Sequence, residues 1–191
     1  MSGPDDAARI AVLDAADRLF YGKGVQAVGM DELRSEAGIS LKRIYALFSS
    51  KDEILRQVLT RRNEEWTRRV LAHASTATTP RDKLLSVYDF LEEWFREDDF
   101  RGCAFINSFG ELGSVDPEVA SFARHHKESF QRYLAEVAKT SGAPDYLAPQ
   151  LALLAEGAQT TAAISGTADA AAQARAAAAT LIDAALAATA A

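Results

Sequence analysis

Apolar residues recur at helical spacing along almost the whole chain, and no stretch of comparable length alternates apolar and polar as a half-buried strand would. The pattern predicts an all-α fold of about nine helices. Ile10, Leu13, Ala16, Leu19 and Phe20 give a first helix over about 6–21 one face to bury, and Gly22 and Gly24 end it. Met30, Leu33 and Ala37 start the period again, Gly38 and Ile39 interrupt it, and Ile44, Leu47 and Phe48 resume it after Ser40. Ser50 is placed to cap a fourth helix, and Asp52 and Glu53 suit the positive end of its dipole. Ile54, Leu55, Val58, Leu59, Trp66, Val70 and Leu71 carry that helix to about His73, a length of ~35 Å. The stretch 75–80 is the clearest break, closed by a proline suited to a helix start. A fifth helix is expected over 81–97, burying Leu84, Val87, Tyr88, Leu91, Trp94 and Phe95, and a short sixth over 103–112. Pro117 opens a seventh that reaches about Thr140; an eighth follows over 146–165 and a ninth over 168–188. The ninth is rich in alanine, the best helix former, and Leu181, Ile182, Ala185 and Leu186 give it a buried face. Met1 to Asp6, with Gly3 and Pro4 and little to bury, reads as a disordered leader.

The segment Met30 to Phe48 is the one the rest is organised around. Gly38 supplies the positive φ that a tight turn needs, and Ser40 can cap the helix after it. If Ile44, Leu47 and Phe48 pack inward, Leu41, Lys42, Tyr45 and Ala46 face outward with Arg43 to one side. A short helix of this width fits the major groove, where Lys and Arg meet guanine edges or phosphates and an apolar side chain meets a thymine methyl. The other reading is an ordinary helical hairpin whose exposed face happens to be basic.

The flanks bear on that choice. Arg9 and Ile10, Ala15 and Ala16, Leu19, Phe20 and Gly24 precede the segment, and Ser50, Lys51, Ile54 and Leu55 follow it. With Ala37, Gly38, Ile39 and Ser40 ahead of Tyr45, Phe48 and Lys51, the arrangement over residues 9–61 resembles the N-terminal domain of the TetR family of bacterial transcriptional repressors. In that family three helices form a DNA-binding head and a fourth leads to a ligand-binding body. The resemblance implies a DNA-binding set of Ser40, Leu41, Lys42, Arg43, Tyr45 and Lys51, with Tyr45 and Lys51 on backbone phosphates. It also has departures. Val28 and Gly29 stand where the family often opens its second helix with hydroxyl residues, Leu47 replaces a frequent histidine, and Lys42 and Arg43 replace smaller residues.

The formal charge is −6 over 191 residues, which would argue against a nucleic-acid partner if it were spread evenly. It is not. Residues 1–69 hold 12 Lys and Arg against 11 Asp and Glu, and the remainder 9 against 16. The acidity belongs to the C-terminal part, and the N-terminal part must gather its cations on one face. Cys103 is the sole cysteine, so no disulfide can form within the chain. With no run of 18 apolar residues to span a bilayer and no apolar leader, the expectation is a soluble cytoplasmic protein without membrane contact.

In the expected helical body from residue 53 onward, Trp66, Tyr88, Trp94, Phe95, Phe105, Phe109 and Phe122 accompany Asn107, Glu111, His125 and His126. Taken singly, each aromatic is better explained as helical core. As a set, the resemblance implies a pocket for a small molecule, with Trp66, Tyr88, Trp94, Phe105, Asn107, Phe109, Glu111, Phe122 and His125 as its expected lining. Asn107 and Glu111, one helical turn apart, would share a polar face opposite Phe105 and Phe109. Adjacent His125 and His126 diverge on a helix and cannot share an ion, and no other metal-ligand spacing, phosphate loop or nucleophile with its base is evident. Neither metal, cofactor nor enzymatic activity is expected. Cys103 could be a thiol sensor, but beside Phe105 a buried structural cysteine is the better reading.

These observations point to a helix-turn-helix DNA-binding domain over 6–52 and a helical ligand-binding and dimerisation domain over 53–191. The expected function is a ligand-responsive transcriptional repressor that binds an operator in double-stranded DNA as a homodimer and is released by a small apolar or amphipathic effector. The expected dimer interface pairs helices eight and nine, with Leu147, Leu151, Leu154, Ala158 and Thr161 as a stripe. The alternative is a helical ligand-binding or interaction protein without operator recognition.

Overall fold

A computed structural model describes residues 3–189, and these form nine helices and no strand. They are α1 (Pro4–Lys23), α2 (Met30–Ala37), α3 (Leu41–Leu47), α4 (Lys51–Ser75), α5 (Pro80–Phe95), α6 (Ala104–Leu112), α7 (Pro117–Thr140), α8 (Leu147–Ser165) and α9 (Asp169–Thr189). They pack as two compact units. One takes in the described residues up to Glu64 together with Ala104–Ala123; the other takes in Glu65–Cys103 and the described residues from Arg124 onward. Both α4 and α7 contribute to each unit, and α6 belongs to the first. The expected functional division at 52/53 is therefore not the division of packing.

In the first unit α1 buries Ala8, Val12, Leu13, Ala15, Ala16, Leu19 and Phe20. The residues opposed to them are of the same kind: Leu33 of α2, Ile44 and Leu47 of α3, and Ile54, Leu55, Val58 and Leu59 of α4 are all buried. Ile10, expected on the inner face of α1, is 50% exposed; the stripe that packs is one step round the helix, through Ala8, Val12 and Ala15. The helix also begins earlier than the expected leader allowed. Proline at its first position has no amide to leave unsatisfied, and the Asp6 carboxylate accepts from the Gly3 amide at 3.0 Å, so Pro4 to Asp6 are helical. Met1 and Ser2 lie outside the described residues.

The second unit is built on α5, α8 and α9, which pack against one another around Leu84, Leu91, Leu147, Leu151, Ala152, Ala155, Ala171, Ala178 and Ile182. Alanine on both α8 and α9 lets their backbones approach closely, so the composition that lowers the sequence complexity is also the packing device. Arg81 with Asp183 and Arg175 with Asp89, each at 2.6 Å, link α5 to α9 at the rim. Tyr88 donates its hydroxyl to the Leu151 carbonyl at 2.8 Å, a buried tie between α5 and α8. Two expectations fail in this unit. Leu71 is 51% exposed, so the apolar stripe of α4 passes from Val70 to Ala74 and leaves Leu71 outside it. Leu147, Leu151 and Ala158 face the chain's own core and are not a dimer stripe, because the same period also serves α5 and α9.

Candidate nucleic-acid interface

Gly38 closes α2 in the left-handed region at φ 66°, and the Ile39 amide returns to the Arg34 carbonyl at 3.2 Å. Ser40 then caps α3, its hydroxyl accepting from the Arg43 amide at 3.3 Å. Ile44, Leu47 and Phe48 are buried. That orientation leaves Lys42, Arg43, Tyr45 and Ala46 exposed and Leu41 half-buried, and the Tyr45 phenol projects with 53% of its surface in solvent. The far end of α3 is held by Arg9 of α1, which donates to the Leu47 carbonyl at 2.6 Å and lies over the Phe48 ring at 4.9 Å. At the near end, Arg43 pairs with Asp5 in the first turn of α1. Where the family often has a hydroxyl to open α2, Gly29 leaves that helix without a side-chain cap. Leu47, in the place of a histidine, is core.

Lys51 is placed differently from the rest of the expected DNA-binding set. Its ammonium donates to the Val25 and Val28 carbonyls at 2.6 and 2.5 Å and sits 5.7 Å from the centre of the Phe20 ring. Burial pushes its pKa down from the ordinary lysine value, with Asp52 and Glu111 opposing. The connection between α1 and α2 is held from the other side by α6. There the Glu111 carboxylate accepts from the Gln26 amide at 3.0 Å, and the Glu111 carbonyl accepts from the Gln26 side chain at 2.6 Å. A Cβ at Gly24, which has φ 91°, would stand 3.0 Å from that carboxylate. Glycine is required there on both counts.

The expected ligand set is split. Trp66, Tyr88, Trp94 and His125 belong to the second unit, and Phe105, Asn107, Phe109, Glu111 and Phe122 to the first. Trp66 is the hub of an aromatic cluster in the second unit, edge-on to Phe90, Trp94, His126 and Phe130 at 5.0 to 5.7 Å. His125 is exposed, and its neighbour His126 is the one turned in, 4% exposed, with burial pushing its pKa down to about 3. Phe90 and Phe130 were missed, and His125 was expected in the lining in place of its neighbour His126, because neither type nor spacing says which of several positions a helix turns inward. In the first unit Phe105 is buried and Phe122 half-buried, but Asn107 and Phe109 are exposed. Asn107 and Glu111 do border a cleft with Phe20, Tyr21, Leu55 and Arg62, of ≈ 20 Å³, room for about one water. Glu111 is committed to Gln26 and not to an apolar-ligand cavity.

Two further polar groups stand out. The Tyr133 hydroxyl on α7 and the Gln159 side-chain carbonyl on α8 are buried without a hydrogen-bond partner among the described residues. Such orphans are rare and costly, and each leaves a handle for a polar group. Cys103 is a free, buried thiol with the Lys127 ammonium 3.8 Å from its sulfur. Among the described residues no three His, Cys, Asp or Glu side chains converge as metal ligands, and no helix is long and apolar enough to cross a membrane.

The helix-turn-helix geometry has counterparts among known proteins. Residues 12–58 match the model of the bacterial regulatory proteins of the tetR family. The crystal structure of sav143, a candidate TetR transcriptional regulator of Streptomyces avermitilis, is 31% identical and superposes with a TM-score of 0.78 over 93% of this chain and 97% of that one. SCO4454, a TetR-family regulator of Streptomyces coelicolor, shares the fold with a TM-score of 0.83 over 96% and 90% of the two chains at 23% identity. The transcriptional activator FasR of Mycolicibacterium smegmatis is 33% identical over 118 residues, 62% of this chain, and the match spans about half (52%) of FasR's own length. The family comprises transcription regulators and not enzymes. With its turn, cap and outward face already in place, the chain belongs to the TetR family of DNA-binding transcriptional regulators.

Proposed function

We propose that the protein binds an operator in double-stranded DNA through α3, as a homodimer, and that a small-molecule effector bound in the helical body changes its operator affinity. The observation that carries this reading is the outward face of α3, where Lys42, Arg43, Tyr45 and Ala46 stand free of the core on a helix fixed at both ends. Residues 6–52 are the DNA-binding part and residues 53–191 the effector and dimerisation part. Two copies of α3 enter successive major grooves ~34 Å apart. Lys42 and Arg43 contact base edges or phosphate, and Tyr45 contacts phosphate. Lys51 acts from behind, by holding the start of α2.

The dimer face we propose is the outer stripe of α8. Leu153 and Ile164 are 68% and 83% exposed, and Gly157 and Thr160 lie between them at helical spacing. The effector is of moderate size, apolar with a hydroxyl or amide handle, because the second unit offers an aromatic cluster together with the orphaned Tyr133 and Gln159 groups. Release from DNA on effector binding, and hence repression, is the expected sense. FasR carries the name of an activator, so activation is the second reading. Both are cytoplasmic functions.

An electrophoretic shift assay with the DNA upstream of its own gene tests the reading. A retarded band that Lys42→Ala and Tyr45→Ala both weaken is expected. No shift of that DNA or of any fragment selected from random sequence would leave the alternative of a helical binding protein without an operator. A reporter fused to the shifted fragment decides between repression and activation.

A further inference from the structure

Of the Lys and Arg side chains among the described residues up to Glu64, nearly all are engaged within the protein. Arg18 pairs with Glu36, Lys23 with Glu32, Arg34 with Asp31, Arg56 with Glu118, Arg61 with Asp14 and Arg62 with Asp17. Arg9 and Lys51 donate to backbone carbonyls, and Arg43 pairs with Asp5. Lys42 alone engages no carboxylate or carbonyl among these described residues. The recognition helix thus carries two cations, and one of them already holds an anion.

We infer that Asp5 is an intramolecular stand-in for a DNA phosphate at Arg43, and that it holds down the affinity of the protein for duplex of arbitrary sequence. The inference rests on the reading that α3 faces DNA. Asp5 lies in the first turn of α1, where proline and the Asp6 bond to the Gly3 amide fix the backbone, so its carboxylate is presented at a defined place and not on a loose tail. Arg9, about one turn further along α1, is bonded to the other end of α3, so α1 holds the recognition helix at Arg43 and again at Leu47. Both partners are well exposed, at 67% for Asp5 and 43% for Arg43, so water and an incoming phosphate reach the pair. An exposed pair of this kind is weak enough to be exchanged, since its net contribution is small in water. The exchange has a consequence for sequence preference. On arbitrary duplex, Arg43 gains a phosphate only by giving up Asp5, and the freed carboxylate is left beside a polyanion. On an operator, where Arg43 or its neighbours also meet base edges, the added contacts offset that cost. Asp5 is thus a specificity-determining residue that touches no DNA.

The test is a fluorescence anisotropy titration of a labelled duplex of mixed sequence, about three helical turns long, across a series of salt concentrations. It uses the full chain and its Asp5→Asn, Asp6→Asn, Arg43→Ala and Asp5→Asn/Arg43→Ala variants. Asp6→Asn removes the same charge one residue away, from a group not bonded to Arg43, and its amide oxygen can still accept from the Gly3 amide that fixes the start of α1. The expected result is that Asp5→Asn tightens binding roughly two- to five-fold. It should also steepen the salt dependence by close to one released counterion, ~0.9 in the log–log slope. Asp6→Asn should do less, and Asp5→Asn should gain no more than Asp6→Asn once Arg43 is replaced by alanine. Equal gains from Asp5→Asn in the parent and in the Arg43→Ala variant would overturn the inference, leaving only general repulsion. A loss of affinity in Asp5→Asn would also overturn it, and would make Asp5 a brace for Arg43. If Arg43→Ala binds the duplex as the parent does, the reading of α3 as the DNA face fails at Arg43, a result separate from either of these.

Discussion

Tyr88 and His126 show how single buried polar groups act in the second unit. The Tyr88 hydroxyl has one partner, the Leu151 carbonyl, and burial raises its pKa. Tyr88→Phe keeps the ring and removes the bond, so stability should fall by about 0.5–1.5 kcal/mol. That is a drop of roughly 1–6 °C in a thermal melt. An unchanged melt would show that the bond contributes nothing. For His126 the sign follows from proton counting. Its pKa in the folded protein is about 3 against an ordinary 6.5, because burial, with Lys127 and His125 adding, disfavours the imidazolium. Between those two values the unfolded chain binds a proton that the folded chain does not, so stability rises with pH and is lost as pH falls below 6.5. Urea denaturation at about pH 6.5 and about pH 5 should therefore show a loss, bounded by ~1.4 kcal/mol per pH unit, that His126→Gln lacks. Comparable losses in parent and variant would place the acid sensitivity in other groups. Glu53, Glu65 and Asp183 have lowered carboxylate pKa values from their hydrogen bonds with Ser49, Arg68 and Arg81, and their contribution is lost only at lower pH.

At the scale of elements, the joint between α1 and α2 is the best-determined piece of the first unit. Four hydrogen bonds converge on residues 25–28, two from Lys51 and two with Glu111. This separates two lysines that the sequence makes look alike. Lys42→Ala should lower the salt slope of DNA binding by ~0.9, the loss of one phosphate contact. Lys51→Ala should leave the slope unchanged while costing about 1–2 kcal/mol of stability and weakening DNA binding of every sequence, because the start of α2 is released. Equal slopes for the two variants would put Lys51 on the phosphates after all. Glu111→Ala should resemble Lys51→Ala more than Lys42→Ala, with faster amide exchange at Gln26.

The helices themselves were legible, since their starts and stops follow Pro80, Pro117, Gly38, Gly166 and the serine caps, which act locally. The outward face of α3 was legible too, because Ile44, Leu47 and Phe48 leave only one way to bury the helix. The partners of Lys51, Glu111 and Arg43 were not, because they lie 26, 85 and 38 residues away, and periodicity carries no information about such pairs. The aromatic set failed for a related reason. Phe105 and Phe109 are one turn apart on α6, yet one is buried and the other half exposed, and that depends on what packs against the helix.

For the whole molecule, the prediction that matters is the oligomer. Leu153→Glu and Ile164→Glu place charge on the outer stripe of α8 without touching the core, so each should sediment as a folded monomer at micromolar concentration. A folded dimer in both variants would move the interface elsewhere. Ala158→Glu and Ala185→Glu are no test, because both sites are buried within the chain, at 5% and 2% exposure, and a carboxylate there would disrupt folding itself.

The pairing of cations in the first unit bears on how such a protein would travel in a cell. A regulator with many unpaired lysines is held on the bulk chromosome by counterion release, and reaches its site mostly by sliding. Here Lys42 is the single unengaged cation among the described residues up to Glu64. The expected outcome is a short residence on bulk DNA, a large fraction of copies free in the cell at any instant, and target location by repeated three-dimensional encounters. Such a regulator would respond in number as well as in affinity: a modest change in its copy number would change operator occupancy directly, with little chromosome-bound reserve to buffer it.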